Sequence, residues 1–193
     1  MVIRGGTVVN AAEISKCDVG IKDGRIVALG EKLDAGVEEI DATGKYVMPG
    51  GIDSHCHIDQ RSSGGGRNSE TFESGTRSAA CGGTTTIICF AAQEKGELLT
   101  PVVEEYHDKA KQSCIDYSFH LIISDPSDEV MHEEVPKLIK AGHRSLKLFM
   151  TYPRNRLNDA EILRVLEVAK LNQALVCVHA ENHDAIMYMT EKL

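Results

Sequence analysis

Residues 84–124 read TTTIICFAAQEKGELLTPVVEEYHDKAKQSCIDYSFHLIIS, and this stretch decides the fold class. It opens with an apolar run rich in β-branched residues, continues through a segment with a helical pattern and returns to a second apolar run. Two strands joined by a helix form a parallel βαβ unit, because parallel strands need a long crossover connection. The stretch therefore predicts an α/β fold with a parallel sheet.

The same unit recurs on both sides of this stretch. Strands are predicted at 50–58, 84–92, 116–124, 143–150 and 174–180, and helices at roughly 70–81, 100–113, 128–141, 159–172 and from about 182 onward. Five units in series fit an open doubly wound sheet or a (β/α)₈ barrel. The first strand is not followed by G-x-G-x-x-G, which disfavours a dinucleotide-binding sheet. A barrel needs eight units, so we expect the chain to be truncated.

Three local signals refine the helices. Thr100-Pro101 is expected to open one helix with proline at its first position. Asn158 with Glu161 resembles a capping box at the start of another. The buried face of that second helix is expected to carry Ile162, Val165, Leu166 and Ala169.

The first 48 residues have a different pattern, made of short alternating segments separated by tight turns. Asp23-Gly24 lies between two such segments and predicts a hairpin, and Thr43-Gly44 predicts a second turn. We therefore predict two domains, a small β module at 1–48 and the repeated βα units at 49–193.

Composition and charge exclude several classes of function. The net charge is −8 without a basic run, which argues against nucleic-acid binding. The sequence has no apolar run of membrane-spanning length, and its first twenty residues lack the apolar core of a signal peptide. Its six cysteines form no C-x-x-C pair and are expected to be reduced thiols that pack as small apolar residues. We expect a cytoplasmic protein.

Four candidate site residues lie on these predicted strands. His55 and His57 are two apart at the end of the first barrel strand, Lys147 lies within SLKLFM, and His179 ends LVCVHA. Each alone has an ordinary explanation. An H-x-H motif often occurs without any metal, a strand lysine can extend its ammonium to solvent, and a core histidine can form hydrogen bonds with its neighbours. Catalytic groups of barrels gather at the carboxyl ends of the strands, and a buried unpaired ammonium is costly. Together the four residues favour a metal site.

Four segments carry a specific family resemblance. ATGKYVMPGGIDSHCHI (42–58), ACGGTTTIICFA (80–91), SLKLFMTY (145–152) and VCVHAEN (176–182) resemble the hydantoinase/dihydropyrimidinase group of the amidohydrolase superfamily. The likeness covers essentially the whole chain and is to the N-terminal portion of longer proteins. It implies a metal-dependent hydrolase TIM barrel, of which 49–193 would be the first five units. It also implies that 1–48 is part of a small β-sandwich module.

The resemblance also implies a binuclear centre. His55 and His57 would bind one Zn²⁺, His179 the second, and Lys147, carboxylated to N6-carboxylysine, would bridge the two. A hydroxide bridging both metals would attack the ring amide, and Tyr152 would be a catalytic donor to the developing oxyanion. The remaining ligand histidine and the catalytic aspartate would come from strands outside this chain. We therefore expect the 193-residue chain alone to be inactive.

One difference from the sequence pattern of related dihydroorotases indicates the substrate class. Related dihydroorotases have H-x-H-x-R, whose arginine binds a substrate carboxylate, whereas this chain has Asp59 there and Arg61 two positions later. An uncharged dihydropyrimidine or 5-substituted hydantoin is therefore favoured. Residues 59–72 resemble the family's gate over the exocyclic group of the substrate. The resemblance implies a homotetramer.

Three alternative functions stay open. They are an allantoinase-like cyclic ureide hydrolase, a metal-free scaffold related to dihydropyrimidinase, and an inactive fragment. Several further residues near the motifs or elsewhere in the chain are not expected to be ligands, namely Asp53, Asp59, His107, His120, His132, His143 and His183.

Overall fold

The computed structural model describes residues 1–61, 66 and 68–193, which form two compact units, Met1–Gly50 and Gly51–Leu193. The first unit consists of seven short strands, β1 (Val2–Arg4), β2 (Thr7–Val9), β3 (Ile14–Lys16), β4 (Asp18–Lys22), β5 (Arg25–Gly30), β6 (Glu39–Asp41) and β7 (Tyr46–Val47). They form two sheets, one with the order β5-β4-β1-β6 and one with the order β3-β2-β7.

The two turns predicted in this unit have different outcomes. Asp23 and Gly24 both have positive φ, 51° and 71°, and they join the antiparallel strands β4 and β5. This is the backbone that a two-residue hairpin requires, so the predicted hairpin is confirmed. Thr43-Gly44 instead carries the chain from β6 in the first sheet to β7 in the second. Gly44 supplies the positive φ, 73°, that this change of sheet needs.

A buried carboxylate organises the same unit. Asp18 accepts hydrogen bonds from the backbone N–H groups of Gly5 (2.9 Å) and Leu33 (3.1 Å), and it pairs with Arg4 at 2.8 Å. The Gly5 and Leu33 amides and the Arg4 guanidinium lower the pKa of Asp18. Arg4 also donates a hydrogen bond to Glu39. This bond, together with one from the Gly36 amide, lowers the pKa of Glu39 to about 2. The charged carboxylates therefore stabilise the folded unit.

This cluster makes the unit sensitive to acid. A carboxylate whose pKa is depressed in the folded state stabilises the protein above its unfolded pKa and loses that contribution as the pH falls through its folded pKa. The contribution of Glu39 should therefore be complete at neutral pH and disappear between about 4.5 and about 2. Glu39→Gln should lower the unfolding temperature at neutral pH and not near the acid limit, as thermal unfolding across a pH series would measure. A temperature difference independent of pH would contradict this.

The second unit contains the parallel sheet. Its strands are β8 (Gly51–Asp53), β9 (Thr84–Ala92), β10 (Asp116–Ile122), β11 (Ser145–Phe149) and β12 (Leu175–His179). Its α-helices are α1 (Phe72–Cys81), α2 (Leu99–Ala110), α3 (Val135–Lys140), α4 (Asp159–Leu171) and α5 (His183–Lys192). All strand pairs are parallel and the order is β12-β11-β10-β9-β8, a partial barrel sheet. The five predicted βα units are confirmed. No described helix has the length and apolar character needed to cross a bilayer.

The two faces of this sheet differ in chemistry. Alternate residues of the central strands are buried in one apolar cluster with residues of the helices, among them Ile87, Cys89, Phe119, Leu121, Leu146 and Leu148. We call this the helix face. The intervening residues occupy the opposite, inner face, among them Phe90, His120, Lys147 and, at a strand end, His179. Strand alternation therefore separates the packing residues from the polar ones.

Two helix predictions need correction. α2 begins at Leu99, so Pro101 is its third residue and not its first. The reason is Glu134, whose carboxylate accepts the Leu99 and Thr100 N–H groups at 2.5 and 2.9 Å and caps the helix from another segment. The predicted helix at 128–141 begins instead with a π-helical turn, Val130–Glu134. Pro136, which follows that turn, has no N–H to continue the α-helical hydrogen bonds.

The fourth helix matches its sequence signals more closely. The predicted capping box is present, with Asn158 accepting from the Glu161 N–H at 3.0 Å and Glu161 accepting in return at 2.7 Å. Such a cap contributes about 0.5–2 kcal/mol. The buried side chains of α4 include Val165 and Ala169, as predicted. Leu166, however, is 40% exposed, and Val168 is buried instead.

Candidate metal centre

The two histidines of the H-x-H motif follow a strand that is shorter than predicted. β8 ends at Asp53, whereas the predicted strand extended to Ile58. The Asp53 carboxylate accepts the His55 N–H at 3.0 Å, which turns the backbone out of the sheet. His55 and His57 therefore lie in a turn at the carboxyl end of β8.

The turn still brings the two imidazoles together. Their ring centroids are 5.5 Å apart, and both rings contact Phe90 of β9, at 4.8 Å for His55 and 4.7 Å for His57. Burial, followed by the positive charge of Lys147 and by His57, lowers the pKa of His55. The lowered pKa favours the neutral imidazole, which is the form that binds a metal.

A residue that sequence reasoning missed sets the orientation of His57. The Gln60 side-chain oxygen lies 2.6 Å from His57 Nδ1, so Nδ1 carries the proton and donates it. This tautomer leaves the Nε2 lone pair of His57 available. The His57 carbonyl accepts from Asn68 at 2.6 Å, which ties the turn down. The feature of the sequence that could have indicated this role is the position of Gln60, three residues after His57.

Removing the Gln60 hydrogen bond should weaken metal binding. Gln60→Ala is expected to lower the affinity for Zn²⁺ by about 10–100-fold, the usual cost of losing an outer partner of a ligand histidine. Competition against a chromogenic chelator would measure this, with Gln112→Ala, an exposed glutamine after α2, as the matched control. Equal affinities for the two variants would contradict an orienting role.

Lys147 is in the middle of β11 on the inner face. Its neighbours Leu146 and Leu148 are fully buried in the helix-face cluster, as the alternation predicts. Lys147 is 7% exposed, and its Nζ lies 5.0 Å from the Phe149 ring centroid. Among the described residues Lys147 has no ion pair. A buried ammonium without a carboxylate is costly, whereas conversion to a carbamate would remove its positive charge.

His179 ends β12 and pairs in register with Phe149 of β11. Its ring stacks on Phe149 with centroids 5.6 Å apart, and its Nε2 contacts the Glu181 carboxylate, a partner that sequence reasoning missed. The Tyr152 ring lies 5.1 Å from the His179 ring. Tyr152 itself has φ of 66°, a left-handed backbone uncommon for a bulky residue and often associated with functional sites.

These contacts connect the predicted site residues along the inner face. The charge of Lys147 acts on His55, Lys147 contacts Phe149, and Phe149 contacts both His179 and Tyr152. Within residues 1–61, 66 and 68–193, no three His, Cys, Asp or Glu side chains converge on a point that could hold a metal ion. The donor chemistry nonetheless fits a divalent metal, because imidazole nitrogens are common ligands of such ions and a carbamate formed on Lys147 would add oxygen donors.

The other histidines have local partners. His120 is buried on the inner face, where its Nε2 donates to the Ser54 carbonyl at 2.8 Å and its Nδ1 lies 2.6 Å from the Ser145 hydroxyl. His120 thereby holds the residue preceding His55, a role that its position in the middle of an apolar strand did not reveal. The remaining contacts are His107 with His143, His132 with Arg164, and His183 with Thr151, each at 3.3 Å.

The loops at the carboxyl ends of the strands enclose a cavity of about 240 Å³. The cavity is lined by the last residue of β9 and by residues that follow β8, β9 and β11, namely Gln60, Arg61, Ala92, Gln93, Glu94, Lys95, Arg154 and Asn155. Arg61 forms ion pairs with Glu94, Glu97 and Glu105 at 3.9, 3.5 and 3.1 Å. Residues 62–65 and 67 of the predicted substrate gate lie outside the described residues.

The chain is similar in sequence to known proteins. The model of the amidohydrolase family matches residues 46–193. The D-hydantoinase of Geobacillus stearothermophilus is 49% identical over 98% of this chain and 41% of its own length. The D-hydantoinase of Ralstonia pickettii is 43% identical over the whole chain and 42% of its own length.

A solved structure gives the same result. The crystal structure of dihydropyrimidinase from Brevibacillus agri superposes with a TM-score of 0.93 at 43% identity, over 99% of this chain and 42% of that one. The chain thus spans about two fifths of the length of the relatives it matches. The sequence motifs, the parallel half-barrel and the family model agree, and the chain belongs to the amidohydrolase family.

Proposed function

We propose that the protein hydrolyses the ring amide of an uncharged cyclic substrate, a dihydropyrimidine or a 5-substituted hydantoin, at a centre of two Zn²⁺ ions. The observation that carries this proposal is the buried Lys147 amine, which faces the inner side of the half-barrel without a described ion pair. The motif histidines lie at the carboxyl end of the same sheet. Packing alone gives no reason for this combination.

Each ligand role is assigned to a residue of this chain. His55 and His57 would hold one metal, His179 the other, and Lys147 both. The Lys147 ammonium would first lose a proton, and the free amine would then add to carbon dioxide. A C–N bond would form as one C=O π bond opens to the carboxylate, and a second proton would leave the nitrogen, so that a carbamate replaces the ammonium. When bound, the metals supply Lewis acidity and an activated water for attack on an amide carbonyl. The Gln60 hydrogen bond supports this assignment, because it engages Nδ1 of His57 and leaves the Nε2 lone pair for a metal.

The substrate class is inferred from the charges at the mouth of the site. Arg61, the cation nearest in sequence to the motif, forms ion pairs with three glutamates, and Arg154 in the same cavity lining pairs with Glu94, so both guanidinium groups already have carboxylate partners in the protein. An uncharged ring therefore suits this mouth better than dihydroorotate. The matched relatives are named D-hydantoinase and dihydropyrimidinase, which supports the same class. Tyr152 would donate its hydroxyl proton in a hydrogen bond to the developing oxyanion.

The proposal has three further parts, which are the module that contains residues 1–48, the site residues outside this chain, and the assembly state. Residues 1–48 would belong to a small β-sandwich module, and a further ligand histidine and a proton-transferring aspartate would come from later barrel strands. The active form would be a cytoplasmic homotetramer. The 193-residue chain by itself would not turn over substrate.

The test is to purify the native gene product, measure its intact mass and zinc content, and assay ring opening. We expect about two zinc ions per chain, as a two-metal site requires, with hydrolysis of dihydrouracil or hydantoin and none of dihydroorotate. If allantoin were the only one of these rings to be hydrolysed with zinc, the proposed substrate class would be wrong and the protein would be an allantoinase-like enzyme. A protein without bound metal and without hydrolysis of any of these rings would overturn the proposal in favour of a scaffold.

A further inference from the structure

Two cysteines lie in contact directly behind the H-x-H turn. Cys56, the residue between His55 and His57, places its sulfur 3.4 Å from the sulfur of Cys89 in β9. Cys89 belongs to the apolar cluster on the helix face, and Cys56 packs against that cluster. The two thiols therefore lie on the opposite side of the turn from the imidazoles.

The two thiols differ in access to solvent. Cys89 is fully buried, whereas Cys56 is only partly buried. A small oxidant can therefore reach Cys56, and Cys89 is already in place to react with the product. Cys81 and Cys114 are more exposed, but the contact between Cys56 and Cys89 gives this pair a second thiol within reach of the first.

We propose that Cys56 and Cys89 form a peroxide-sensitive dithiol that closes to a reversible disulfide beside the metal-ligand turn. Hydrogen peroxide oxidises the Cys56 thiol to sulfenic acid and is reduced to water. The Cys89 sulfur then attacks the Cys56 sulfur, an S–S bond forms, and the sulfenic oxygen leaves as a second water with the Cys89 proton. In sum, two thiols and one peroxide give one disulfide and two waters.

Closing this bond displaces the turn. A disulfide holds its sulfur atoms about 2.05 Å apart, so the present separation of 3.4 Å must shorten by more than 1 Å. Cys89 is anchored in the long strand β9, whereas Cys56 lies in a turn outside the sheet. Rotation of the Cys56 side chain supplies part of this movement, and the rest falls on the backbone of the turn and on the histidines that flank Cys56.

The displacement is large on the scale of metal coordination. Ligand distances in metal sites are held within about 0.2 Å, so even a fraction of this shift, transmitted to His55 or His57, weakens binding. This consequence rests on the proposed function, because it requires His55 and His57 to be ligands. Formation of the disulfide does not rest on it.

The first experiment maps the thiols of the native gene product. The protein is treated with limiting hydrogen peroxide, unreacted thiols are alkylated, and peptides are analysed by mass spectrometry. We expect a linked pair of peptides containing Cys56 and Cys89, two hydrogens lighter than their sum and released by dithiothreitol. The link should disappear in Cys56→Ser and in Cys89→Ala and persist in Cys81→Ser, a control with an exposed cysteine. Unlinked peptides, or sulfinic acid at Cys56 beside a free Cys89 thiol, would overturn the dithiol.

The second experiment measures Zn²⁺ affinity in the reduced and oxidised protein. Oxidation should lower the Zn²⁺ affinity by at least about tenfold, the lower end of the range for losing an outer partner of a metal ligand. Dithiothreitol should restore the affinity. Cys56→Ser should bind zinc equally with and without peroxide. An unchanged affinity in the disulfide form would overturn the coupling between the dithiol and the metal site. Absence of zinc binding in the reduced protein would refute the proposed function, while the peptide map would still decide the disulfide.

Discussion

Replacing Lys147 with methionine is expected to abolish zinc binding and ring-opening activity while the protein stays folded. Methionine has a similar length but cannot react with carbon dioxide, so the proposed bridging carboxylate cannot form. Outer partners of metal ligands contribute about 10–100-fold to affinity, and loss of a ligand shared by two metals should exceed that range. Because methionine also replaces a buried amine, the unfolding temperature of the metal-free variant should not fall below that of the metal-free parent protein, although both should unfold below the zinc-loaded parent.

The readouts for this variant separate the metal from the fold. Zinc content and activity of the native gene product are measured beside thermal unfolding, with Lys140→Met, an exposed lysine at the end of α3, as the control. Carbon-13 bicarbonate should give a carbamate signal in the parent protein and in Lys140→Met but not in Lys147→Met. A Lys147→Met protein that retained two zinc ions and activity would refute the ligand assignment.

Replacing Tyr152 with phenylalanine is expected to lower kcat by about 10²–10³-fold, the usual cost of losing one donor to a developing oxyanion. The phenyl ring keeps the contacts with His179 and Phe149. Zinc content and KM should therefore stay near those of the parent protein, because the role proposed for the hydroxyl is confined to the transition state.

A second tyrosine gives the comparison. Tyr188 is 60% exposed on α5, so Tyr188→Phe tests for a general effect of removing a tyrosine hydroxyl. Steady-state kinetics and metal analysis of the two variants decide the role of Tyr152. A kcat equal to that of Tyr188→Phe would exclude an oxyanion donor, and a loss of zinc would assign Tyr152 to support of His179 instead.

The strand–helix order could be read from the sequence, because apolar periodicity reports which side of each element is buried. β9 was predicted residue for residue, and the alternation around Lys147 correctly separated Leu146 and Leu148 from the inner face. Element ends were less predictable where a distant residue decides them. Glu134 caps α2 from another segment, and no pattern near Thr100 contains that information.

Sequence alone determined the family, the parallel α/β units and the candidate ligands His55, His57, Lys147 and His179, because strand periodicity and short motifs are properties of neighbours along the chain. Only the tertiary structure decided the contacts between segments. It ended β8 at Asp53, paired His57 with Gln60 and His179 with Glu181, placed His120 beneath Ser54, and brought Cys56 against Cys89. Side-chain partners depend on how turns and strands approach in space, and periodicity does not encode that distance.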